Sequence, residues 1–247
     1  MANLVIDIGN SRTKLAVFRG RELIRTEAFT EVEPGTLESL ISEYQVTSSI
    51  LSSVTAFDEE LVRVLERDTR YIRFSSDRPA NVRIRYRTPE TLGLDRLAGV
   101  IAAHALFPDR NCLVIDAGTC ITYDLVDREG NYAGGSISPG LDMRLRAMHT
   151  FTGRLPLVQK APDFTGQIGT DTETSMLTGV LEGTWHEVRG FIEDYNTKNN
   201  GVQVLLCGGD AAFFDTRLKN SIFAHSVRTE MLLVLIGLNE VIHHYND

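Results

Sequence analysis

Two stretches of this sequence carry an acidic residue, a glycine and hydroxyl or amide residues in the same order. Residues 4–13 read LVIDIGNSRT and residues 113–122 read LVIDAGTCIT, so that Asp7 corresponds to Asp116 at an offset of 109 residues. In each copy an apolar run ends in the acid, and a glycine-containing turn follows. Such a turn exposes backbone N–H groups beside a carboxylate, which suits the phosphates of a nucleotide and their cation.

The first copy carries the fuller set of phosphate ligands. Gly9 permits a positive φ or a close approach of the backbone, Asn10 and Ser11 add short donors, and Lys14 adds a positive charge. Asp7 is a candidate to hold Mg²⁺ through water. An ordinary hairpin turn uses the same residue types, so either copy alone has a purely structural alternative. The duplication, with an acid in the same place, favours function.

Three further segments combine glycine with polar residues. Gly93, Leu94, Asp95 and Arg96 open a predicted helix, whose N-terminus favours anions, although from spacing alone an acid that complements the helix dipole is the stronger interpretation. Residues 134–141, GGSISPGL, let the backbone approach a ligand, and a tight strand-to-helix junction explains them equally well. Residues 207–211, CGGDA, form a turn that can lie against adenine and ribose in a nucleotide-binding protein.

The elements that must position these residues follow from hydrophobic patterning. Apolar runs at 5–7, 15–18 and 23–29 predict strands, followed by a helix at 34–42, a strand at 49–52 and a helix at 57–67. This β-β-β-α-β-α order is the ribonuclease-H-like layout, which puts helices on both faces of a mixed sheet. After residue 111 the pattern restarts, with strands at 112–116, 121–127 and 132–138. We therefore predict an α/β fold of two related ribonuclease-H-like domains, residues 1–109 and 110–247, with the nucleotide cleft between them.

The remaining predictions concern the connections and the closing elements. Helices are expected at residues 94–106, 141–148, 172–195 and 228–244, a strand at 202–207, and a loop or flap at 150–168. No apolar stretch approaches the roughly 20 residues of a membrane helix, and the N-terminus enters a strand directly, so we expect a cytoplasmic protein without a membrane partner. The net charge of −8 argues against nucleic acid as a partner.

Taken in order, these segments resemble the type III pantothenate kinases, a family of the actin-like ATPase and sugar kinase superfamily. The matching pieces are DIGNSRTK, YRTPETLGLDRLAG, DAGTCITYDL, GGSISPGL, GTDTETSM and CGGDA, which run from residue 7 to about residue 211. Ser11 and Cys120 stand where Thr and Ala are more usual, and CGGDA replaces a Thr-Gly-Gly opening. None of these departures removes a required charge.

The resemblance implies ATP-dependent phosphorylation of the primary hydroxyl of pantothenate to 4′-phosphopantothenate, the first step of coenzyme A synthesis. By the family's motifs, the ATP phosphates would be bound by Asp7, Ile8, Gly9, Asn10, Ser11, Arg12, Thr13, Lys14 and Thr119. The adenosine would lie on Gly208, Gly209 and Asp210. Pantothenate would be bound by Tyr86, Gly93, Leu94, Asp95, Arg96 and Thr172, with Asp95 as the catalytic proton acceptor.

The resemblance also implies the cofactors and the partner. ATP would enter with Mg²⁺, and Asp116 would bind a monovalent cation, K⁺ or NH₄⁺. The family implies a homodimer. Thr172 has an alternative interpretation as part of a helix cap, in the run Thr-Asp-Thr-Glu at residues 170–173.

Two other functions stay open from the sequence. A nucleotide-binding regulatory protein of the same family, accessory to transcription, could keep the phosphate motifs and lose the transfer step. A kinase of the superfamily could instead act on another small acceptor, such as a sugar or acetate. Asp95 and Arg96 favour the pantothenate kinase, because a regulator does not need an acid–base residue there.

Overall fold

The chain opens with three consecutive strands, because short apolar runs are separated by tight turns. The computed structural model describes residues 1–9, 12–53, 59–161, 163–166 and 168–246. The first elements are β1 (Ala2–Ile8), β2 (Thr13–Arg19), β3 (Glu22–Phe29), α1 (Pro34–Tyr44), β4 (Val46–Ser53), α2 (Glu59–Asp68) and β5 (Arg70–Arg73). The predicted β-β-β-α-β-α order is therefore confirmed, and β5 is a strand that the sequence analysis did not predict.

These strands form the first sheet, in the order β3-β2-β1-β4-β5. The β1–β2 and β2–β3 pairs are antiparallel, whereas β1–β4 and β4–β5 are parallel. Leu4 and Ile6 of β1 pack in one buried cluster with Leu37 of α1 and Leu65 of α2. Since alternate strand residues point to opposite faces, Asn3 and Val5 face the other side of this sheet.

Residues 83–150 contain four strands, one 3₁₀ helix and two α-helices. The elements are β6 (Arg83–Ile84), a 3₁₀ helix (Pro89–Thr91), α3 (Leu94–Leu106), β7 (Cys112–Ala117), β8 (Cys120–Val126), β9 (Asn131–Pro139) and α4 (Leu141–Thr150). Helix α3 has the predicted bounds. Its residues 97–103 are buried. A helix surrounded by the core needs apolar residues on most of its circumference, as this sequence has.

The last part of the chain contains α5 (Thr172–Lys198), β10 (Gln203–Cys207), α6 (Ala211–Lys219), β11 (Val227–Thr229) and α7 (Leu233–Asn246). The predicted helix over residues 228–244 is wrong at its start, because Arg228 and Thr229 pair in parallel with β10 and thereby extend the sheet, and α7 begins only at Leu233. The segment between α4 and α5 forms neither helix nor strand in the residues that the structure describes.

Contacts divide the chain into two units that do not follow the chain order. Unit 1 comprises Met1–Asp109, Val126–Gly134 and Leu232–Asp247, and unit 2 comprises Arg110–Leu125 and Gly135–Met231. Helix α7 belongs to unit 1 because it packs on α3 so closely that a Cβ on Gly237 would lie 1.9 Å from the carbonyl oxygen of Ala98. Asn239 of α7 also accepts a hydrogen bond from Asn3 of β1, at 2.9 Å. The division into domains at residues 109 and 110 stays a prediction.

The second sheet has the order β11-β10-β7-β8-β9, with β6 pairing in parallel to residues 131 and 132 of β9. The core of unit 2 lies between this sheet and the helices, where Ile115 of β7 and Leu206 of β10 pack with Leu181 of α5 and Phe214 of α6. The predicted α/β class, with two sheets flanked by helices, is thus confirmed. Within the described part of the chain, no helix combines the length and apolar character needed to cross a bilayer.

Candidate active site

The first glycine turn, residues 7–14, joins β1 to β2 in unit 1. The antiparallel register places Asp7 opposite Lys14 and Ile8 opposite Thr13. Gly9 closes the turn by donating its N–H to the carbonyl oxygen of Arg12, at 3.1 Å. Arg12 is exposed, while Asp7 and Lys14 are half-buried. Asn10 and Ser11, which were expected to contact phosphate, lie outside the described residues.

A serine that the sequence analysis did not single out belongs to the same end of this sheet. Ser52 of β4 is the parallel register partner of Asp7, so both side chains point to one face of the sheet. Ser52 is fully buried, and its Oγ has no hydrogen-bond partner within the described structure. In the sequence, the signal that could have identified Ser52 was a serine at the end of a predicted apolar strand.

Asp95 lies in the first turn of α3. Gly93 is the N-cap and offers no side chain to the helix. Asp95 Oδ1 instead accepts a hydrogen bond from the backbone N–H of Arg96, at 2.8 Å. A Cβ on Gly93 would lie 2.6 Å from that Oδ1, so the glycine makes room for the carboxylate. Asp95 therefore does complement the helix N-terminus, and its half-buried carboxylate is held in one place.

Arg96 and Tyr86 come together in unit 1, as expected for two residues of one pocket. Arg96 is buried, and its guanidinium carbon lies 5.8 Å from the centroid of the Tyr86 ring. The same ring packs against Gly134, the first residue of GGSISPGL, where a Cβ would lie 2.9 Å from the ring. Gly134 also has a φ of +109°, which favours glycine. These contacts bring the YRTP segment, the GLDR segment and Gly134 to one place within unit 1.

The second glycine turn, residues 116–119, follows β7 in unit 2. Gly118 donates its N–H to the carbonyl oxygen of Cys120, at 2.9 Å, and Thr119 is exposed. Gly140 donates its N–H to the carbonyl oxygen of Thr119, at 3.0 Å. A Cβ on Gly140 would lie 2.2 Å from the carbonyl oxygen of Gly118. The end of GGSISPGL therefore packs directly on this turn, and glycine is required for the approach.

The CGGDA turn, residues 207–211, also lies against the second glycine turn. Gly208 has a φ of +94°, and a Cβ there would lie 2.4 Å from Asp116 Oδ1. Asp210 donates its backbone N–H to the carbonyl oxygen of Ala117, at 2.8 Å. Gly209, by contrast, is exposed and has nothing within 4 Å of the position of a Cβ. The structure thus brings Asp116 together with the predicted adenosine residues.

Lys160 is a further residue at this place that the sequence analysis missed. Its Nζ lies 2.7 Å from Asp210 Oδ1 and 2.9 Å from Oδ2 of Asp142, in the first turn of α4. Burial lowers the pKa of Lys160, but its hydrogen bonds to both carboxylates outweigh this effect and hold the pKa above its usual value. No spacing rule would find this group, because its members come from three separate segments.

Thr172 is the first residue of α5 and is exposed. The cap of this helix is made by its neighbours: the Asp171 side chain accepts from the N–H of Thr174 at 2.7 Å, and Thr174 Oγ1 accepts from the N–H of Asp171 at 3.2 Å. The helix start therefore does not depend on the Thr172 hydroxyl for its cap. The predicted helix cap is therefore present in the run 170–173, with Asp171 as the N-cap and Thr172 as the first helical residue.

The carboxylates also bear on cation binding. Over the described ranges, no group of three or more His, Cys, Asp or Glu side chains is arranged to hold a metal ion. A cation that arrives with ATP does not need such a group, because phosphate and water oxygens supply most of its ligands. Asp7 and Asp116 each end a strand beside a glycine turn, and such single carboxylates fit that requirement.

The family model and the most similar known proteins indicate the same family for this chain. The family model of the type III pantothenate kinases matches residues 3–194. A type III pantothenate kinase from Bacteroides fragilis is 43% identical over 99% of this chain and 98% of its own length. Those from Phocaeicola vulgatus and Porphyromonas gingivalis are 42% and 37% identical, over 99% and 98% of each chain.

Solved structures share the fold at much lower identity. A protein described as a Baf family transcriptional activator from Campylobacter jejuni has a TM-score of 0.59 and 19% identity, over 98% of both chains. Component A of (R)-2-hydroxyglutaryl-CoA dehydratase from Acidaminococcus fermentans has a TM-score of 0.56 and 13% identity, over 99% of both. A glucokinase from an Antarctic psychrotroph has a TM-score of 0.51 and 12% identity, over 98% of both. With its motifs, its fold and these full-length relatives, the chain belongs to the type III pantothenate kinase family.

Proposed function

We propose that this chain transfers the γ-phosphate of ATP to the primary hydroxyl of pantothenate, giving 4′-phosphopantothenate in the first step of coenzyme A biosynthesis, with Asp95 as the proton acceptor. The observation that carries this proposal is the start of α3. There Asp95 is held by the backbone N–H of Arg96, and the Arg96 side chain lies on Tyr86. The identity of the substrate follows from family membership. Asp95, Arg96 and Tyr86 provide an acid, a cation and an aromatic ring to bind it.

The proposed chemistry needs little beyond positioning and charge. A primary alcohol is a weak nucleophile, and Asp95 would accept its proton while the hydroxyl oxygen bonds to the γ-phosphorus and the bond to ADP breaks. Arg96 would help to hold the substrate, because it is a permanent cation fixed by its burial and by Tyr86. Gly93 and Leu94 would contribute backbone, and Thr172 a hydroxyl.

ATP would be bound by the two glycine turns and the CGGDA turn. The first glycine turn, residues 7–14, and Thr119 of the second would contact the phosphates through N–H groups, hydroxyls and Lys14. Gly208, Gly209 and Asp210 would contact the adenosine, and the open space at Gly209 leaves room for it. Asp7 would hold Mg²⁺ through water, and Asp116 would hold K⁺ or NH₄⁺, since hard cations prefer oxygen ligands.

We further propose a cytoplasmic homodimer without nucleic-acid or membrane partners. Exposed large apolar side chains are concentrated in one stretch of unit 2, which contains Ile137, Met143, Phe151, Leu157 and Ile168. Contiguous exposed apolar surface is typical of protein–protein interfaces, and in the proposed dimer these side chains would be covered by the second copy. Thr172 follows this stretch and is itself exposed, so it could reach the pantothenate site of a second copy.

The test is an ATP-coupled assay of the purified protein with pantothenate, glucose and acetate in parallel, with products identified by mass spectrometry. We expect phosphorylation of pantothenate, with rates for the other two acceptors near background. Faster phosphorylation of glucose or acetate would refute the proposed substrate. Binding of ATP without phosphorylation of any acceptor would instead support the regulatory alternative.

A further inference from the structure

Lys160 joins two carboxylates beside the proposed nucleotide-binding turns of unit 2. It contacts Asp210 of the CGGDA turn and Asp142 of α4, with side-chain exposures of 33%, 11% and 48% for Lys160, Asp210 and Asp142. The Asp210 backbone is bonded in turn to Ala117, next to Asp116. One lysine is therefore paired with two aspartates beside the turn where ATP, a polyanion, is proposed to bind.

We infer that Lys160 is a positioning residue for ATP, which fixes the carboxylate of Asp210 and balances the negative charge of Asp210 and Asp142. The inference rests on the proposed function in that it takes ATP to bind at this turn. Without the ammonium, two uncompensated carboxylates would add negative charge beside the site of a polyanionic nucleotide. Repulsion between like charges at these distances is appreciable even when water screens it.

The segment that carries Lys160 has an anchor of its own, so holding the segment in place is not the main role of this lysine. Val158 is 5% exposed and belongs to the core of unit 2. Leu155, Ala161 and Phe164 also pack against that core, on both sides of Lys160 along the chain. Loss of the ammonium should therefore change the charge at the turn while the backbone keeps its place.

The test compares charge-removing variants by calorimetric titration with MgATP and by steady-state kinetics. For Lys160→Gln we expect the Kd and KM for MgATP to rise about 5- to 20-fold, with kcat and the KM for pantothenate within about twofold. Lys160→Arg keeps the charge and should stay within about threefold of the parent. The matched control is Lys198→Gln, which removes a Lys–Asp contact of 2.9 Å on the exposed face of α5 and should change nothing.

The variant Asp142→Asn distinguishes a role of Lys160 in charge balance from a role as a structural contact between segments. If charge balance matters, Asp142→Asn alone binds MgATP as well as the parent or more tightly, and adding it to Lys160→Gln recovers part of the lost affinity. If Lys160 only ties segments together, Asp142→Asn weakens binding and the double variant is no better than Lys160→Gln. That second pattern, or an unchanged Kd in Lys160→Gln, would overturn the inference.

The outcomes also distinguish this inference from the proposed reaction. A parent protein that binds MgATP but does not phosphorylate pantothenate refutes the reaction, while the Kd values still decide the role of Lys160. A parent protein that does not bind MgATP overturns both. Should Lys160→Gln fail to fold, Asp142→Asn decides alone: unchanged or tighter binding of MgATP supports charge balance, and weaker binding overturns it.

Discussion

Gly208 lies so close to Asp116 that a Cβ at this glycine would stand 2.4 Å from Oδ1 of the carboxylate. The two residues are distant in sequence, and the parallel pairing of β7 with β10 brings them together, with Cys207 in register with Asp116. One glycine thereby couples the proposed cation ligand to the proposed adenosine turn.

The first prediction concerns that glycine. Gly208→Ala should destabilise the protein by about 2–4 kcal/mol, because the new methyl group would overlap Asp116 and the backbone φ of +94° is unfavourable for alanine. It should also weaken MgATP binding. Gly209→Ala is the control, since nothing lies within 4 Å there, and should stay within about 0.5 kcal/mol. Urea unfolding and calorimetric titration would measure both effects, and equal stability of the two variants would contradict the prediction.

Asp95→Asn should abolish most turnover while leaving MgATP binding nearly intact. The amide cannot act as the base, whose loss typically costs about 10²–10⁴-fold in rate. Its oxygen can still accept the hydrogen bond from Arg96, so the thermal midpoint should hardly change. Glu90→Gln, at an exposed acid in the preceding 3₁₀ helix, is the control and should retain full activity. Activity of Asp95→Asn within threefold of the parent would remove Asp95 from the mechanism.

Activity should depend on K⁺ or NH₄⁺, and Asp116→Ala should lose that dependence together with affinity for ATP. The reason is that a carboxylate beside a phosphate-binding turn is the strongest oxygen ligand a side chain offers to a hard cation. The measurement is the initial rate with Tris or Na⁺ as the sole monovalent cation, before and after addition of KCl or NH₄Cl. Equal rates of the parent protein under all these conditions would count against the assignment.

Mixed dimers should reveal a site shared between two copies, with Asp95 from one and Thr172 from the other. A symmetric dimer uses the same surface twice and so contains two equivalent sites. Mixing Asp95→Asn with Thr172→Val should restore part of the activity, because each mixed dimer holds one intact and one doubly altered site. Subunit exchange must be confirmed, for instance by resonance energy transfer between labelled copies. Exchange without restored activity would indicate a site within one chain.

His104 should make stability depend on pH. Burial lowers its pKa below 6.5, and the charge of Asp127 only partly offsets this; its buried Nδ1 has no hydrogen-bond partner within the described residues. The unfolded chain then binds the proton more readily, so stability is full above about pH 6.5 and is lost as the pH falls towards the folded-state pKa. The fall in thermal midpoint between about pH 7.5 and 5.5 should be smaller in His104→Gln, whereas His225→Gln, at an exposed position, should behave like the parent. An identical fall in all three proteins would contradict this.

The glycine-rich motifs were readable from the sequence, but several of their neighbours were not. Gly93, Asp95 and Arg96 are adjacent along the chain, so their spacing already predicted an acid at a helix start. Ser52 gave only the weak signal of a serine after an apolar run. Lys160 gave none, because its partners Asp142 and Asp210 reach it only through folding.

The sequence by itself determined the local elements and the repeated turn, since hydrophobic periodicity, glycine and strand-end acids act over a few residues. Only the tertiary structure decided which segments meet. It joined α7 to α3 and β1 in unit 1, and it placed residues 228 and 229, the start of the predicted closing helix, in a strand. It also set Gly208 on Asp116 and Lys160 between two aspartates. Such choices depend on burial and pairing between distant residues, whose free energies do not appear in any local pattern.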